Sequence, residues 1–516
     1  MRVSHLALDD FRSWKRVVLE LPAGPLVFLG HNGQGKTNLV EAIAYLSTFS
    51  SHRVSAEGAL VRIPTHEEEP APARAFVRVK TVRDEDREQV VELEIVRGKA
   101  NRARINRANV RPREILGLVR TVVFAPEDLQ LVRGDPSVRR AFLDEIAIQM
   151  HPLYAQIKAD FDRVLRQRAA IMKHAQSQLR RGRSPDLSTI EVWDERFAEL
   201  SAKVSATRFK VASLLCEPAA RAYDDVADSH RHLELSFDAS IDRTIGTNPD
   251  DPGSSDLGDV EAQQRRLLAA FDRMRDQEIE RGVNLVGAHR DDLGLRLGRM
   301  PVKGFASHGE SWSVALALRL GCFDLLRLDG QTPILILDDV FAELDSKRRA
   351  GLATRINAAD QVIITAAVEA DVPSELDSHV LKIHWDPVLG SQVLFEEPGV
   401  EESAEPGLVE SEDPSGSEGF EPSVSEGVKP SVSDSARPTT TVSVESATSD
   451  SHESGAAENE SSGVCEGVKP DVLGGVDPAI GEDAESKGER RAEIPASASS
   501  PKDEAFVPEA DTVAAS

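Results

Sequence analysis

Gly30-His31-Asn32-Gly33-Gln34-Gly35-Lys36-Thr37 has the spacing G-x-x-x-x-G-K-[ST] of a phosphate-cradling loop. Its glycines allow successive backbone N–H groups to curl around phosphate oxygens. The helix expected to follow, through Asn38, adds the positive end of its dipole. Lys36 is the expected partner of β- and γ-phosphates, and Thr37 the expected ligand of Mg²⁺. An apolar strand, "LVFL", enters the loop and a helix, "NLVEAIAYL", leaves it. Those flanks separate it from a chance Gly-rich turn. A second run, "PILIL", ends abruptly in Asp338-Asp339. Asp338, at the carboxyl end of a buried strand, is expected to hold Mg²⁺ directly or through water. Asp339 is placed to orient or deprotonate an attacking water. Lys36, Asp338 and Asp339 form the expected catalytic set, with ATP and Mg²⁺ as cofactors.

As a third element, Phe305-Ala306-Ser307-His308-Gly309-Glu310 precedes a helix, "SWSVALALRLGCFDLLRL". Ser307 and Glu310 form an S-x-x-E capping box, a sufficient structural reason for both. A helix N-terminus with Ser and Gly exposed is also an anion site. Together with the first two motifs this is the arrangement of ABC-type ATPases. There the signature helix of one subunit points at the γ-phosphate held by the other.

The elements that position these residues are widely separated. Lys36 and Asp338 lie 302 positions apart, a distance a compact nucleotide kinase does not need. The chain is expected to leave the nucleotide core after one half, insert a helical region and return. Residues 1–134 read as mixed α/β, with alternating antiparallel strands in "ARAFVRVKTV", "QVVELEIVRG" and "NRARINRANV". Asp135-Pro136 suits the N-cap and first position of a helix opening 135–282. Met150, Leu153, Ile157, Phe161, Val164 and Ile171 form one apolar seam. After a break at "RGRSPD", Ile190, Trp193, Phe197, Leu200, Val204, Val211 and Leu214 form another. Such seams make either an antiparallel helical hairpin or a bundle packed on the core. The α/β pattern resumes over 283–396.

Residues 397–516 change character. They hold 28 Asp and Glu against 7 Lys and Arg, about −21 of the chain's −26, leaving about −5 for residues 1–396. The segment is rich in Ser, Glu, Pro, Gly and Ala, and it repeats imperfect octads, "SEGFEPSV", "SEGVKPSV" and "CEGVKPDV". It cannot bury enough apolar surface to offset its ordering entropy, so a disordered acidic tail is expected. The nearly neutral body leaves nucleic acid open as a partner. Three scattered cysteines with no CxxC pair suit a reducing compartment. No apolar stretch reaches the roughly 18 residues of a membrane span, and a cytoplasmic protein without membrane contact is expected.

These motifs carry a resemblance over roughly residues 1–395. "LDDFRSW", "GHNGQGKTNLVEAI", "FAPEDLQLVRGDPSVRRAFLD", "GAHRDDL", "FASHGE" and "PILILDDVFAELD" together resemble the RecF family of bacterial recombination mediators, relatives of the SMC chromosome ATPases. The resemblance implies an ABC-ATPase-like α/β head with a P-loop and an antiparallel β subdomain. It also implies an inserted α-helical arm; the tail is no part of it. It further implies ATP-dependent homodimerisation and DNA binding at gapped or duplex–single-strand junctions. Weak, DNA-stimulated ATP hydrolysis would act as a release timer. RecO and RecR would be partners in loading the recombinase and supporting the SOS response. By position, Arg12 would approach the nucleotide, Ser307 and Gly309 would contact the opposite subunit's γ-phosphate, and Asp345 would sit at the dimer seam. Thr365 falls where transporters keep a switch histidine.

Two basic runs are candidate DNA surfaces. Arg97, Lys99, Arg102, Arg104, Arg107, Arg111 and Arg113 lie in or beside an expected hairpin, and Arg163, Arg166, Arg168, Lys173, Arg180, Arg181 and Arg183 in the arm. Either is equally explained as a solvated charged face. Without base-reading motifs, backbone- and shape-directed binding is expected. Two other classes share the P-loop: the ATPase subunit of an ABC transporter and a small-molecule P-loop kinase. Neither accounts for the helical insert or the Arg-rich hairpin.

Overall fold

A computed structural model describes residues 1–394, apart from 52, 55, 65–69, 84–86, 228–230, 247–256, 342–343, 345–347, 350–351, 353–355, 357–358 and 373–375. The expected acidic tail and Asp345 lie outside the described residues. The first part of the chain forms β1 (Arg2–Phe11), β2 (Trp14–Glu20), β3 (Gly24–Leu29) and α1 (Lys36–Thr48). Four antiparallel strands follow: β4 (Arg74–Arg83), β5 (Arg87–Val96), β6 (Arg102–Ile105) and β7 (Ala108–Val110). Strand β8 (Thr121–Phe124) leads into α2 (Leu129–Arg133) and α3 (Pro136–Met150). The helical region continues with α4 (Tyr154–Arg180), α5 (Ile190–Val226), β9 (Leu233–Asp238), α6 (Ser240–Ile245) and α7 (Val260–Arg281). The remainder is β10 (Asp292–Leu297), β11 (Met300–Pro301), α8 (His308–Leu328), β12 (Ile334–Asp338), β13 (Gln361–Ala366), β14 (His379–Asp386) and β15 (Gly390–Leu394).

Twelve strands form one sheet in the order β7-β6-β5-β4-β1-β2-β15-β14-β3-β13-β12-β8. The five from β14 to β8 are mutually parallel. Their central strands are apolar on both faces: "ILILD" of β12 and "QVIITA" of β13 are buried throughout. Helices must therefore cover both sides. The other strands alternate buried and partly exposed residues, as a sheet with one wet face does. Strand β15 turns back on β14, and one pair, Gly390 with Trp14, joins the two halves. Register aligns Asp338 of β12 with Thr365 of β13, and Thr365 with Phe28 of β3. The carboxyl ends of three parallel strands thus meet at the start of the Gly30–Thr37 loop, where open α/β sheets bind ligands.

Helices α4 and α5 pack together and α7 closes on both, while α5 continues onto α8. The two seam helices pair with each other, as a hairpin would, and are also packed on the core through α8. Phe161, Val164, Phe197, Leu200, Val204 and Val211 are buried, but Leu153, expected in the first seam, is 85% exposed as the N-cap of α4. Gly321 of α8 meets α5 so closely that a Cβ there would stand 2.7 Å from the Ala219 backbone. A small sheet, β11-β10-β9, crosses position 282, because β9 comes from the helical region and β10 from beyond it.

Buried charge fastens the helical region. Arg168 is fully buried; it donates to Asp194 at 2.6 Å, Glu278 at 2.7 Å and Asn284 at 2.6 Å, and lies 4.6 Å from the Phe271 ring centre. Arg208 donates to both oxygens of Asp144, at 2.7 and 2.8 Å, and to the Ala288 carbonyl at 2.7 Å. Arg168, read from sequence as part of a basic face, is thus a core residue. Each of its three nitrogens donates to an interior acceptor and none of its surface is exposed, so it is not a DNA-facing cation.

Candidate nucleotide-binding site

The loop between β3 and α1 has the conformation its glycines permit. Gly33 and Gly35 have φ of 84° and 100°. At Gly35 a Cβ would also stand 2.4 Å from Ser391 Oγ and 2.7 Å from Ser13 Oγ, so only glycine fits. The "FRSW" run explains that crowding. It turns β1 into β2, and the turn braces the loop: Trp14 Nε1 donates to the Gly35 carbonyl at 3.1 Å, and Asn38 Nδ2 to Ser13 Oγ at 2.8 Å.

Lys36 opens α1 and is 3% exposed. Its Nζ donates to the Gly30 and His31 carbonyls at 2.7 and 3.2 Å. The ammonium therefore folds back over its own loop. Thr37 Oγ1 donates to Asp338 Oδ1 at 3.1 Å, bridging residues 301 positions apart. Thr365 Oγ1 donates to the same Oδ1 at 2.7 Å and accepts from the Asp339 N–H at 2.9 Å. Asp339 has φ of 51°, in the left-handed region. A hydroxyl and a buried carboxylate beside a phosphate loop form the hard-oxygen donor set that suits Mg²⁺. Thr37 and Asp338 would hold it.

Arg12 forks onto Glu41, donating from Nε at 2.7 Å and Nη2 at 2.5 Å. Glu41 is 1% exposed and also accepts from Ser51 Oγ at 2.6 Å. Arg12 still lines a cavity of about 370 Å³ beside the start of α1, with Lys15, Asn38, Arg53, Trp385 and Leu389. Sequence reasoning missed Glu41, Arg53 and Trp385. The available signal was an acid inside the apolar α1, which needs a cation when buried.

Ser307 and Glu310 form the expected capping box: Ser307 Oγ accepts from Glu310 N at 3.2 Å, and Glu310 Oε2 accepts from Ser307 N at 2.9 Å. These bonds hold the Glu310 carboxyl below its ordinary range. Ser307 and His308 are exposed and Gly309 half-buried, beside the Arg348 guanidinium. The rest of α8 runs through the interior. Two links tie it to the segment after β8: Arg319 donates to Asp128 Oδ1 at 2.7 Å, and Arg133 to Ser311 Oγ at 3.3 Å. The run 124–144 thus connects the edge strand β8 to α8.

A family model described as RecF/RecN/SMC N terminal domain matches residues 2–382. The chain is 50% identical over 378 residues to a "DNA replication and repair protein RecF" from Streptomyces avermitilis, covering 73% of this chain and 96% of the relative. It is 48% identical over 410 residues to a protein of the same description from Beutenbergia cavernae, covering 76% and 99%. The chain belongs to the RecF family. A solved structure titled "Structure of the recombination mediator protein RecF-ATPrS in RecFOR pathway" matches with a TM-score of 0.66 at 24% identity, covering 76% of this chain and 98% of that one. Its ATP counterpart matches with a TM-score of 0.63 at 23% identity. The fold of this RecF-family chain is the SMC/RecF ATPase head, a mixed sheet with covering helices. No helix among the described residues is long and apolar enough to cross a membrane.

The Arg-rich hairpin differs from its simplest reading. Arg102 and Arg104 share a face, as period-two alternation requires. On that face Arg102 and Arg74 flank Glu94 at 3.8 and 3.1 Å, and Arg104 and Arg78 flank Glu92 at 3.7 and 3.4 Å. Lys80 pairs with Glu88 at 2.7 Å. Cross-strand acids, invisible in the local run, offset much of its charge. In the helical region, Lys173, Arg180, Arg181 and Arg183 are exposed around the end of α4.

Proposed function

We propose that this RecF-family chain is an ATP-switched DNA-binding protein of recombinational repair and replication. Two copies close on two ATP molecules, and the closed dimer holds DNA at gapped or duplex–single-strand junctions. One observation carries the reading. The Lys36–Thr37–Asp338 cluster is assembled within one chain, whereas the exposed Ser307–Gly309 tip makes its capping bonds inside its own helix. A second copy would bring that tip to the terminal phosphate, and there its N–H groups and dipole would stabilise negative charge. Asp345 would lie at the seam.

Lys36 would leave the loop carbonyls for the β- and γ-phosphates. Residues 30–38 would cradle the phosphates, and the cavity beside Arg12 would take the nucleoside. Mg²⁺, held by Thr37 and Asp338, would neutralise charge developing on the phosphates. Asp339 would orient water for attack on the γ-phosphorus, breaking its bond to the β-phosphate oxygen and leaving ADP and phosphate. Hydrolysis then times release rather than driving synthesis, because ATP favours the closed state only while its terminal phosphate bridges both copies. Lys173, Arg180, Arg181 and Arg183 are the DNA-facing cations we favour over the hairpin face, whose arginines already meet acids. Contacts with RecO and RecR, recombinase loading and support of the SOS response in the cytoplasm are part of the same proposal, and family membership supports them.

The test is light scattering after gel filtration, with and without ATP and gapped DNA. Wild type should dimerise with ATP. Lys36→Ala and Ser307→Arg should stay monomeric and release DNA. If ATP leaves wild type and Ser307→Arg equally monomeric, the sandwich is wrong. Copurification with a membrane permease would instead favour the transporter class, and phosphotransfer to a small acceptor the kinase class.

A further inference from the structure

We infer that Thr365 is a positioning residue that aims Asp339, and that it does so by sharing one hydroxyl between the two aspartates. This rests on the proposed hydrolysis. Thr365 Oγ1 lies 2.7 Å from Asp338 Oδ1, 2.9 Å from the Asp339 nitrogen and 3.3 Å from Asp339 Oδ1. A hydroxyl has one proton and two lone pairs. The observed geometry uses the proton on Asp338 and a lone pair on the Asp339 N–H. The longer contact to Asp339 Oδ1 is the competing destination for that proton.

The backbone makes this bond consequential. Asp339 follows a strand buried at every position, yet adopts φ of 51°. An L-residue resists that conformation, and aspartate does so less than most. The bond from its N–H to Thr365 holds the chain in it and sets the direction of the side chain. Thr365 is itself fixed. It is 1% exposed, β-branched and opposite both Asp338 and Phe28 in the sheet register. Asp338 Oδ1 also accepts from Thr37 Oγ1 at 3.1 Å, so the hydroxyl of Thr365 touches the group that would meet the metal. A cation drawing on Asp338 would weaken its claim on the Thr365 proton and favour the contact with Asp339. One hydroxyl would thereby report metal occupancy to the water-orienting acid.

Thr365→Val keeps the shape and strand preference and removes the hydroxyl; Thr365→Ser keeps the hydroxyl. We expect Thr365→Val to lower kcat at least 10-fold, with KM and the ATP affinity from fluorescence titration within 3-fold of wild type. ATP-dependent dimerisation should persist. Thr365→Ser should restore kcat to within 3-fold of wild type. In an Asp339→Gly background, which removes the carboxylate and relaxes the backbone, Thr365→Val should cause no further loss. Unchanged kcat in Thr365→Val, or independent losses in the double variant, would overturn the inference. A parallel loss of ATP binding would also overturn it, by making Thr365 a support of the phosphate loop. Should Thr365→Val not fold, a kcat in Thr365→Ser below a tenth of wild type would sink the idea, and one within 3-fold would support it. Normal hydrolysis by Asp339→Gly alone would instead refute the role given to Asp339 under the proposed function.

Discussion

Asp338-Asp339 ends strand β12, and Asp291-Asp292 begins strand β10. The dipeptides are identical, and each stands where a strand meets irregular chain. The first is met by hydroxyls, Thr37 and Thr365, beside a lysine folded onto carbonyls. The second is met by a guanidinium at the Asp292 carboxylate and by a hydroxyl and a backbone N–H at the Asp291 carboxylate. Arg139 forks onto both oxygens of Asp292 at 2.8 Å, and Arg140 donates to the Asp291 carbonyl at 2.7 Å. Ser205 and the Ser240 N–H close on the Asp291 carboxylate. Burial pushes the Asp291 carboxyl up, against the pull of Arg208. Hydroxyls can rotate to receive a cation, whereas a bidentate arginine sets a fixed positive charge against both carboxylate oxygens. The first pair thus lies among groups that can reorient, and the second bolts α3 and α5 to the small sheet.

Breaking the second pair should have the largest effect. Asp292→Ala leaves the Arg139 side chain, 6% exposed, without its carboxylate. Removing one partner of a buried ion pair costs about 3–5 kcal/mol, so denaturant unfolding should show a loss of that order. ATP affinity of the folded fraction should be unaltered; lost turnover at normal stability would place this pair with the catalytic one. Asp339→Asn should do the converse, lowering turnover about 100-fold, typical of removing a general base, with stability nearly unchanged. Ser307→Ala removes the N-cap of α8 and should cost about 1 kcal/mol in thermal unfolding. It adds no bulk at the proposed dimer seam, which separates capping from the block expected of Ser307→Arg.

The smallest effect concerns pH. Glu310 is held below the ordinary glutamate value of 4.5 by bonds from Ser307. A depressed carboxyl contributes its stability above the unfolded value and loses it as pH falls through the lower folded value. Thermal unfolding of wild type should therefore lose a small increment on acidification in that window. Glu310→Gln retains a capping partner without titrating, so its curve should lack the increment. A loss of equal size in both proteins would remove Glu310 as the cause.

Several features were legible in the chain because they are local. The loop spacing, the apolar run before Asp338 and the Ser307–Glu310 box each depend on neighbouring residues, and each appears at its expected place. Charge was the least legible property. Arg102 and Arg168 read alike in sequence, yet one sits on an exposed strand face beside Glu94 and the other is sealed among Asp194, Glu278 and Asn284. Their partners lie far along the chain or across a strand, beyond any window of periodicity. The brace of the phosphate loop was hidden for the same reason, since Ser13 and Ser391 meet 378 positions apart.

The amino-acid sequence by itself determined which residues can carry phosphate and metal chemistry and which segments are strand or helix. Those follow from backbone preference, apolar periodicity and residue type over short spans. Only the tertiary structure decided which of two identical acid pairs lies against threonine hydroxyls and which against Arg139, which arginines face water, and that Thr365 touches both aspartates. The parallel register of β13 and β12 sets that last contact. Register is a property of pairing between distant strands, where burial of a whole face outweighs the preference of any single residue.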